Sequence, residues 1–354
     1  MQSLDEKMWE PIPIGKQFNL RRGRESKSTV EEGGVLPFVS AKNTDNGYRM
    51  FVKTSKTKID GNTLSLNNNG DGGAGFGYYQ PHEYTVDVNA TALIPHQDVP
   101  FDCYIGLFWT GCFTWMHEYF GNARTLSNKR AEMTKIMLPV NDSGKPDYEY
   151  MAEYTRQKRG EMLDKYRKYA EARIVELGKA VEIPALDEKE WKPIFISSIF
   201  ELVRGRENNM AMLKDGDTPL ISAKANNNGL KGFVHNPKKI ITGQCITLNN
   251  DGDGGAGLAY YQPANMALDS HVTALVPLFD MSAFAMLFIA KCISGLHGFF
   301  GHGLSISNPR AKRLRIMLPV TDSGEPDYAY MEQYVKNMML RKYQQYFSYS
   351  ERNS

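Results

Sequence analysis

The stretch Trp9-Glu-Pro-Ile-Pro-Ile-Gly-Lys-Gln-Phe-Asn-Leu-Arg-Arg-Gly-Arg-Glu25 is met again as Trp191-Lys-Pro-Ile-Phe-Ile-Ser-Ser-Ile-Phe-Glu-Leu-Val-Arg-Gly-Arg-Glu207, 182 residues further on. The correspondence continues outward. Pro37-Phe-Val-Ser-Ala-Lys42 returns as Pro219-Leu-Ile-Ser-Ala-Lys224, and Leu66-Asn-Asn-Asn-Gly-Asp-Gly-Gly-Ala-Gly75 returns as Leu248-Asn-Asn-Asp-Gly-Asp-Gly-Gly-Ala-Gly257. Tyr78-Tyr-Gln-Pro81 likewise matches Tyr260-Tyr-Gln-Pro263. Beyond Pro277 the second copy runs two residues shorter, because Phe120-Gly121 matches Phe300-Gly301 and Ile136-Met-Leu-Pro139 matches Ile316-Met-Leu-Pro319. A period of this length is too long for a solenoid repeat and fits two domain-sized units in tandem. Two similar units in one polypeptide invite a pseudo-two-fold arrangement and a target with two related halves.

Within each unit, short apolar runs are broken by Gly, Asn and Pro: Leu36 to Ser40, Thr63 to Leu66, Val86 to Pro95 and Ile136 to Pro139. These are strand signals bounded by turns. Residues 101–119 and 281–298 are apolar without strict alternation, which predicts a helix interrupting each body. After Pro146-Asp147 and Pro326-Asp327 the period changes. A Pro and an acidic residue at the opening of a long Pro-free segment are helix-start signals. The segments run to about Lys179 and Tyr349, with apolar stripes Leu163, Tyr166, Ala170, Ile174, Leu177 and Val335, Met339, Tyr343, Tyr346. A helix of about 33 residues would be about 50 Å long, too long to bury its stripe on a compact body. The expected organisation is therefore α+β: a β-rich domain over 1–145, a spacer helix and linker over 146–182, a second β-rich domain over 183–325 and a second helix over 326–354. The two helices are expected to pair as an antiparallel coiled coil. Two helices folded separately onto their own domains are the alternative.

Net charge is only +2, yet the basic residues cluster at matching places. Arg21, Arg22, Arg24, Lys27 and Lys42 have counterparts in Arg204, Arg206 and Lys224, and Arg124, Lys129, Arg130 and Lys135 in Arg310, Lys312, Arg313 and Arg315. Basic loops on a nearly neutral chain suit a polyanion met at chosen surfaces. Four cysteines show no metal-like spacing, and Cys112 and Cys292, at equivalent positions in apolar surroundings, read as buried thiols. No basic-then-apolar leader and no span of membrane length is present, so a soluble, cytoplasmic protein without membrane contact is expected.

No constellation for catalysis stands out. The run Asn249-Asn-Asp-Gly-Asp-Gly254 opens like an EF-hand, but the twelfth position is Tyr260, where a bidentate carboxylate is needed. The glycines are followed by Tyr-Tyr-Gln-Pro and not by a helical pattern, which removes a dinucleotide fingerprint or P-loop. A tight turn with close backbone approach remains. Pro146-Asp147 with Asp187-Glu-Lys189 can be forced into a nuclease signature, but helix capping explains both copies of the Pro-Asp pair. The tetrapeptide that amino-methyltransferases use to hold a target amine is absent. No cofactor, metal site or independent chemistry is expected.

Trp-x-Pro-Ile with Phe-x-Leu-x-Arg-Gly-Arg, Pro-x-(Val/Ile)-Ser-Ala-Lys, Leu-Asn-Asn-x-Gly-x-Gly-Gly-Ala-Gly and the Ile-Met-Leu-Pro-Val exit into a long helix, in this order and twice, resemble the specificity subunits of type I restriction–modification systems. In layout the chain is similar to the recognition subunit of BcgI-like type IIB systems. The resemblance implies a non-catalytic subunit. Each target-recognition domain would read one half of a bipartite double-stranded DNA site. The helices would set the spacer and dock methyltransferase, or fused methyltransferase–nuclease, subunits. A duplicated β-rich module for carbohydrate or protein, held by a helical hairpin, is the alternative.

Base edges are read by Arg on guanine and Asn or Gln on adenine, and phosphates by Lys, Arg, Ser and Thr. The candidate DNA-binding residues are therefore Arg22, Arg24, Lys42, Asn43, Asn46, Arg124, Asn128, Lys129 and Arg130 in the first half. In the second they are Arg204, Arg206, Lys224, Asn226, Asn228, Ser307, Asn308 and Arg310. Asn69 against Asp251, and Lys129 against Pro309, are differences between matching loops that would let the halves read different sequences.

Overall fold

In the computed structural model of the chain, which describes residues 2–69, 73–120, 125–209, 212–251, 255–300 and 304–352, every residue of the strand Thr63–Asn67 is buried although only alternate ones are apolar. A strand sends successive side chains to opposite faces, so Leu64 and Leu66 share one face and Thr63, Ser65 and Asn67 the other. This strand lies in an antiparallel four-stranded sheet, ordered Phe18–Arg22, Ala90–Pro95, Thr63–Asn67, Gly77–Gln80. The helix Cys103–Met116 packs on the apolar face. Trp109 is fully buried, edge-on to Phe18 with centroids 4.9 Å apart, and Ile105 and Phe113 share one core with Leu64, Leu66 and Leu93. Truncating an aromatic so placed costs about 3–5 kcal/mol.

The polar face is also sealed from water, and its hydroxyls and amide N–H groups are paired, while Asn67 Oδ1 and Gln80 Oε1 are buried without a partner. Tyr84 Oη accepts from Thr63 Oγ1 at 3.1 Å, Gln80 Nε2 donates to Ser65 Oγ at 2.9 Å, and Asn67 Nδ2 donates to the Lys42 carbonyl at 2.9 Å. Such pairing matters, because an orphaned buried polar group costs about 1–3 kcal/mol. These bonds tie the first sheet to the loop and turn that flank a second one, ordered Tyr48–Val52, Glu32–Val39, Thr85–Val86, whose last pairing is parallel.

The second unit repeats the plan. Phe200–Arg204, Val272–Pro277, Cys245–Asn249 and Ala259–Gln262 form the sheet under the helix Ala283–Ser294. Leu230–Val234, Asp215–Ile221, Met266–Leu268 and Ile240–Ile241 form the other. The extra strand Ile240–Ile241 corresponds to Ile59, which makes only a bridge to Tyr84. The interrupting helices therefore fall where the apolar, non-alternating segments predict them.

A two-stranded ribbon closes each body. Trp9–Pro13 pairs antiparallel with Lys135–Pro139, Trp9 opposite Pro139, and Trp191–Phe195 pairs with Arg315–Pro319, Trp191 opposite Pro319. The long helices Tyr148–Leu177 and Tyr328–Arg352 follow. Their starts are capped as the Pro-Asp pairs suggest. Asp147 Oδ1 accepts from the Tyr150 N–H at 3.0 Å and Oδ2 takes Lys7 Nζ at 2.7 Å; Asp327 does the same with Tyr330 at 3.0 Å and Lys189 at 2.8 Å.

The chain divides into compact units Met1–Lys168 and Tyr169–Ser354. Inside the second, Ala170, Ile174 and Leu177 pack with Met339, Leu340, Tyr343 and Phe347. Three residues of the expected stripes behave otherwise. Leu163 and Tyr166 are 45% and 43% exposed. The segment Arg156-Gln-Lys-Arg-Gly-Glu-Met-Leu-Asp-Lys-Tyr-Arg-Lys168 is charged all round and has no continuous apolar face for them to join. Val335 belongs to the core of its own domain, beside Met331 and the helix Ala283–Ser294. Cys112 and Cys292 are partly buried, and burial pushes their thiols up to about 12 and about 11. Among the described residues no helix is long and apolar enough to cross a membrane.

The glycine-rich runs make the close approach that their composition suggests. A Cβ on Gly73 or Gly255 would lie 2.8 or 2.7 Å from the carbonyl oxygen of Ala41 or Ala223; residues 70–72 and 252–254 of those runs are outside the described ones. A tighter crossing, shared by both copies, involves Gly23, between Arg22 and Arg24, and Gly205 in the second copy. A Cβ at either would sit 2.0 Å from the carbonyl oxygen of Asp87 or Asp269. Gly23→Ala and Gly205→Ala are each expected to destabilise their own domain by about 1–3 kcal/mol. Calorimetry of the full chain checks this, and wild-type melting would refute the crossing.

The caps also carry a pH dependence. Partial burial pushes the Asp147 and Asp327 carboxyls up. The hydrogen bonds from Lys7 or Lys189 and from the Tyr150 or Tyr330 N–H, with the lysine charge, outweigh it and hold both below the usual range. A depressed native value adds stability that is present above the unfolded value, near 3.9, and is lost as pH falls through the native one. Asp147→Asn and Asp327→Asn keep a capping oxygen but lose the charge that pairs with Lys7 and Lys189, and should therefore lower stability at neutral pH by about 1 kcal/mol. The gap to the wild type should close as pH falls through the native value in melts run across pH.

Candidate nucleic-acid interface

Beyond the strand Thr63–Asn67 the chain turns at Asn68, an asparagine only 1% exposed. Its backbone N–H donates to the Asn89 carbonyl at 2.9 Å, and its own carbonyl accepts from the Leu126 N–H at 2.8 Å. Its side-chain Nδ2 donates to the Leu126 carbonyl at 2.5 Å and its Oδ1 accepts from Thr91 Oγ1 at 2.7 Å. Three segments remote in sequence are thus pinned at one point: the loop after Asn67, the turn Val86–Asn89 and the loop before the short helix Asn128–Met133. The Asn128 amide lies 2.8 Å from the same Thr91 hydroxyl. A hydroxyl has one proton, here given to Asn68, so Asn128 meets it with its NH2 and turns its oxygen outward.

The pinned segments leave two adjoining polar clefts of about 460 and 530 Å³. Ser40, Ala41, Arg49, Asn69, Asp87, Asn89 and Thr125 line the first, and Arg22, Asn68, Asn69, Thr125, Leu126, Ser127 and Asn128 line the second. Sharing Asn69 and Thr125, they form one trough across the first domain. Arg22 Nε donates to the Val88 carbonyl at 2.7 Å, which fixes the guanidinium at the trough's edge. Partial burial pulls its pKa down, opposed by the charge of Asp87; an arginine so placed is still charged at physiological pH.

The second domain carries the same scaffold. Asn250, 1% exposed, donates Nδ2 to the Ile306 carbonyl at 2.5 Å; Thr273 Oγ1 reaches Asn250 Oδ1 at 2.9 Å and the Asn308 amide at 3.0 Å. Arg204 Nε donates to the Ser270 carbonyl at 2.8 Å. Where Asn69 and Asn89 line the trough of the first domain, the second domain has Asp251 and His271 at the matching positions, with His271 Nδ1 2.7 Å from Asp251 Oδ1.

Of the residues expected at an interface, Arg22 and Asn128 are brought together in the trough, and Arg204 and Asn308 occupy the matching places. Arg24, Arg206, Asn43 and Asn226 are exposed on flanking loops, and Lys129 is exposed on the short helix Asn128–Met133. Ser307 caps its short helix by accepting from the Arg310 N–H at 3.4 Å. Arg130 Nη1 donates to the Thr125 carbonyl at 2.5 Å, and Arg310 makes the same bond to Ser305, so each holds a trough loop in place. Lys42 is bound to Asp45 and to the Tyr48 carbonyl, and Lys224 to the Leu230 carbonyl at 3.0 Å. Arg124 lies outside the described residues.

Asn46 and Asn228 have another use. Both sit in the left-handed region, φ 54° in each, and donate Nδ2 to the Tyr79 and Tyr261 carbonyls at 2.9 and 3.0 Å. Their amides hold a turn onto the sheet. Asn89, His271 and Thr125 were absent from the candidates. Comparing the copies could have exposed them, since Asn89 and His271 differ at the same 182-residue offset as Asn69 and Asp251.

Comparison with known proteins agrees with this duplication. Residues 6–162 and 188–346 match a family model described as the type I restriction modification DNA specificity domain. The chain is 23% identical over 314 residues, 88% of each protein, to S.BcgI, the specificity subunit of a type II restriction enzyme from Heyndrickxia coagulans. Its fold is similar to the S subunit of a type I restriction–modification system from M. genitalium, with a TM-score of 0.51, 14% identity, and 98% of this chain and 93% of that one covered. At that identity the likeness is one of fold.

Thr91 is the test of the scaffold. Thr91→Val leaves Asn68 Oδ1 buried without a donor and releases Asn128, and should destabilise the first domain by about 1–3 kcal/mol. Thr273→Val should do the same to the second. Unchanged melting of both variants would show that the buried amides do not hold the trough.

Proposed function

Because the chain belongs to the type I restriction modification DNA specificity domain family, we propose that it reads DNA for a restriction–modification complex, each domain taking one half of a bipartite site. The reading rests on the trough. A rigid, hydrogen-bonded scaffold occurs once per domain and presents an arginine, amides and hydroxyls, the groups that read base edges, with basic loops beside it suited to phosphates. The lining differs between copies while the scaffold does not, as reading two unlike half-sites requires.

Residues 1–145 and 183–325 are the target-recognition domains in this reading, and 146–182 and 326–354 the spacer helices. The packing of Ala170, Ile174 and Leu177 with Met339, Leu340 and Tyr343 supports a helical seam, paired in antiparallel fashion so that the half-sites stand a fixed distance apart. The 30-residue helix Tyr148–Leu177 is about 45 Å long at 1.5 Å per residue. Methyltransferase, or fused methyltransferase–nuclease, subunits are the partners, and they supply all the chemistry. The chain itself neither methylates nor cuts.

DNA binding by the full chain should fall steeply with salt, as phosphate neutralisation demands. Arg22→Ala and Arg204→Ala should each weaken specific binding about tenfold and relax selectivity in one half-site only. Fluorescence anisotropy on duplexes selected from a random pool reads both. Salt-independent binding, or no enrichment of any sequence, would overturn the assignment. So would turnover by the purified chain for its non-catalytic role.

A further inference from the structure

Most of the trough positions keep their chemistry between the copies: Arg22 and Arg204, Thr125 and Ser305, Asn128 and Asn308. Two positions change together. Asn69 becomes Asp251 and Asn89 becomes His271, and the new side chains contact each other at 2.7 Å. The change is not needed to build the turn. The His271 N–H donates to Asp269 Oδ1 at 3.0 Å as the Asn89 N–H does to Asp87 Oδ1 at 2.8 Å, and the His271 carbonyl accepts from Asn250 as that of Asn89 does from Asn68, both at 2.9 Å. The side chains are left for another task. With side chains 57% and 35% exposed, the pair is worth little to stability.

We propose that the Asp251–His271 pair is the base-reading element that sets the second half-site apart from the first, with His271 Nε2–H donating to a guanine. This rests on the trough being the DNA interface. Asp251 accepts from Nδ1–H and so fixes the ring, making Nε2 the outward atom. The protonated ring offers Nε2–H to guanine O6 or N7. The neutral ring, its proton held on Nδ1, offers only a lone pair, which suits the amino group of adenine or cytosine.

The charges around the ring favour the donor form. The hydrogen bond to Asp251 raises the imidazole's pKa; partial burial opposes it, the charges of Asp251 and Asp269 add to it, and Arg204 opposes, with a net rise. The donor is therefore present below the raised value and is lost as pH rises through it. The amides of Asn69 and Asn89 do not titrate, so the first half-site is read alike across this range.

The test is selection by the full-length chain from duplexes with two randomised blocks, at pH 6 and pH 8.5, for the wild type and D251N/H271N. The expected result is one guanine in one half-site, favoured at least about fivefold at pH 6. That preference should weaken at pH 8.5 and vanish in the double variant, while the other half-site is unchanged throughout. A folded double variant that keeps the guanine overturns the proposal. Should the variant melt early, N69D/N89H takes its place: it should install a pH-sensitive guanine preference in the other half-site, and failure to do so in a folded chain overturns the proposal equally. A wild-type chain that enriches no sequence would instead refute the DNA-reading assignment itself.

Discussion

One buried asparagine per copy holds together the loops of the proposed DNA-reading surface. Asn68 makes four hydrogen bonds that join its own loop to two others, and Asn250 repeats the arrangement. Loops that carry recognition are ordinarily the mobile part of a domain. Here their backbone is bonded to a side chain that has no access to water, so its hydrogen bonds face no competition from solvent. Asn68 joins the turn at Asn89 to the loop at Leu126, while the end of the strand Phe18–Arg22 meets the same turn through its own ladder to Thr91 and the Arg22–Val88 bond. Together they form one wall.

The same economy runs through the strand that precedes it. Leu64 and Leu66 commit one face to the helix Cys103–Met116, while Thr63, Ser65 and Asn67 fasten the other to the second sheet's connections. The polar layer is costly to form, and the bonds of its hydroxyls and amide N–H groups offset that cost, with Asn67 Oδ1 and Gln80 Oε1 left unpartnered. It also specifies register: a one-residue slip would put leucines against the hydroxyl layer and hydroxyls against Trp109.

The sequence allowed much of this to be foreseen. Short apolar runs bounded by turn residues pointed to strands, apolar segments without alternation to the interrupting helices, and three- and four-residue steps to the long helices, because those patterns follow from backbone geometry. The Pro-Asp helix starts were legible because capping is local. Leu163, Tyr166 and Val335 were not: a stripe says that residues share a helix face and not what that face meets. Asn46 and Asn228 look like base readers by residue type, but their left-handed backbone and sheet-directed amides give them a structural use that composition does not reveal. Arg22 and Asn128 were chosen separately. Their meeting in one trough depends on Thr91 and Asn68, long-range contacts that no local pattern encodes.

The ribbons that close the bodies have a consequence for how such a chain can change. Trp9 stands opposite Pro139 and Trp191 opposite Pro319, so each body enters and leaves its place in the polypeptide about one strand spacing apart, near 5 Å. A body is thus a cassette with a single two-stranded stem. Recombination inside the stems would exchange one body for another while leaving the long helices that follow unchanged. New specificities could then arise by substituting whole bodies, with no need for each intermediate lining to function.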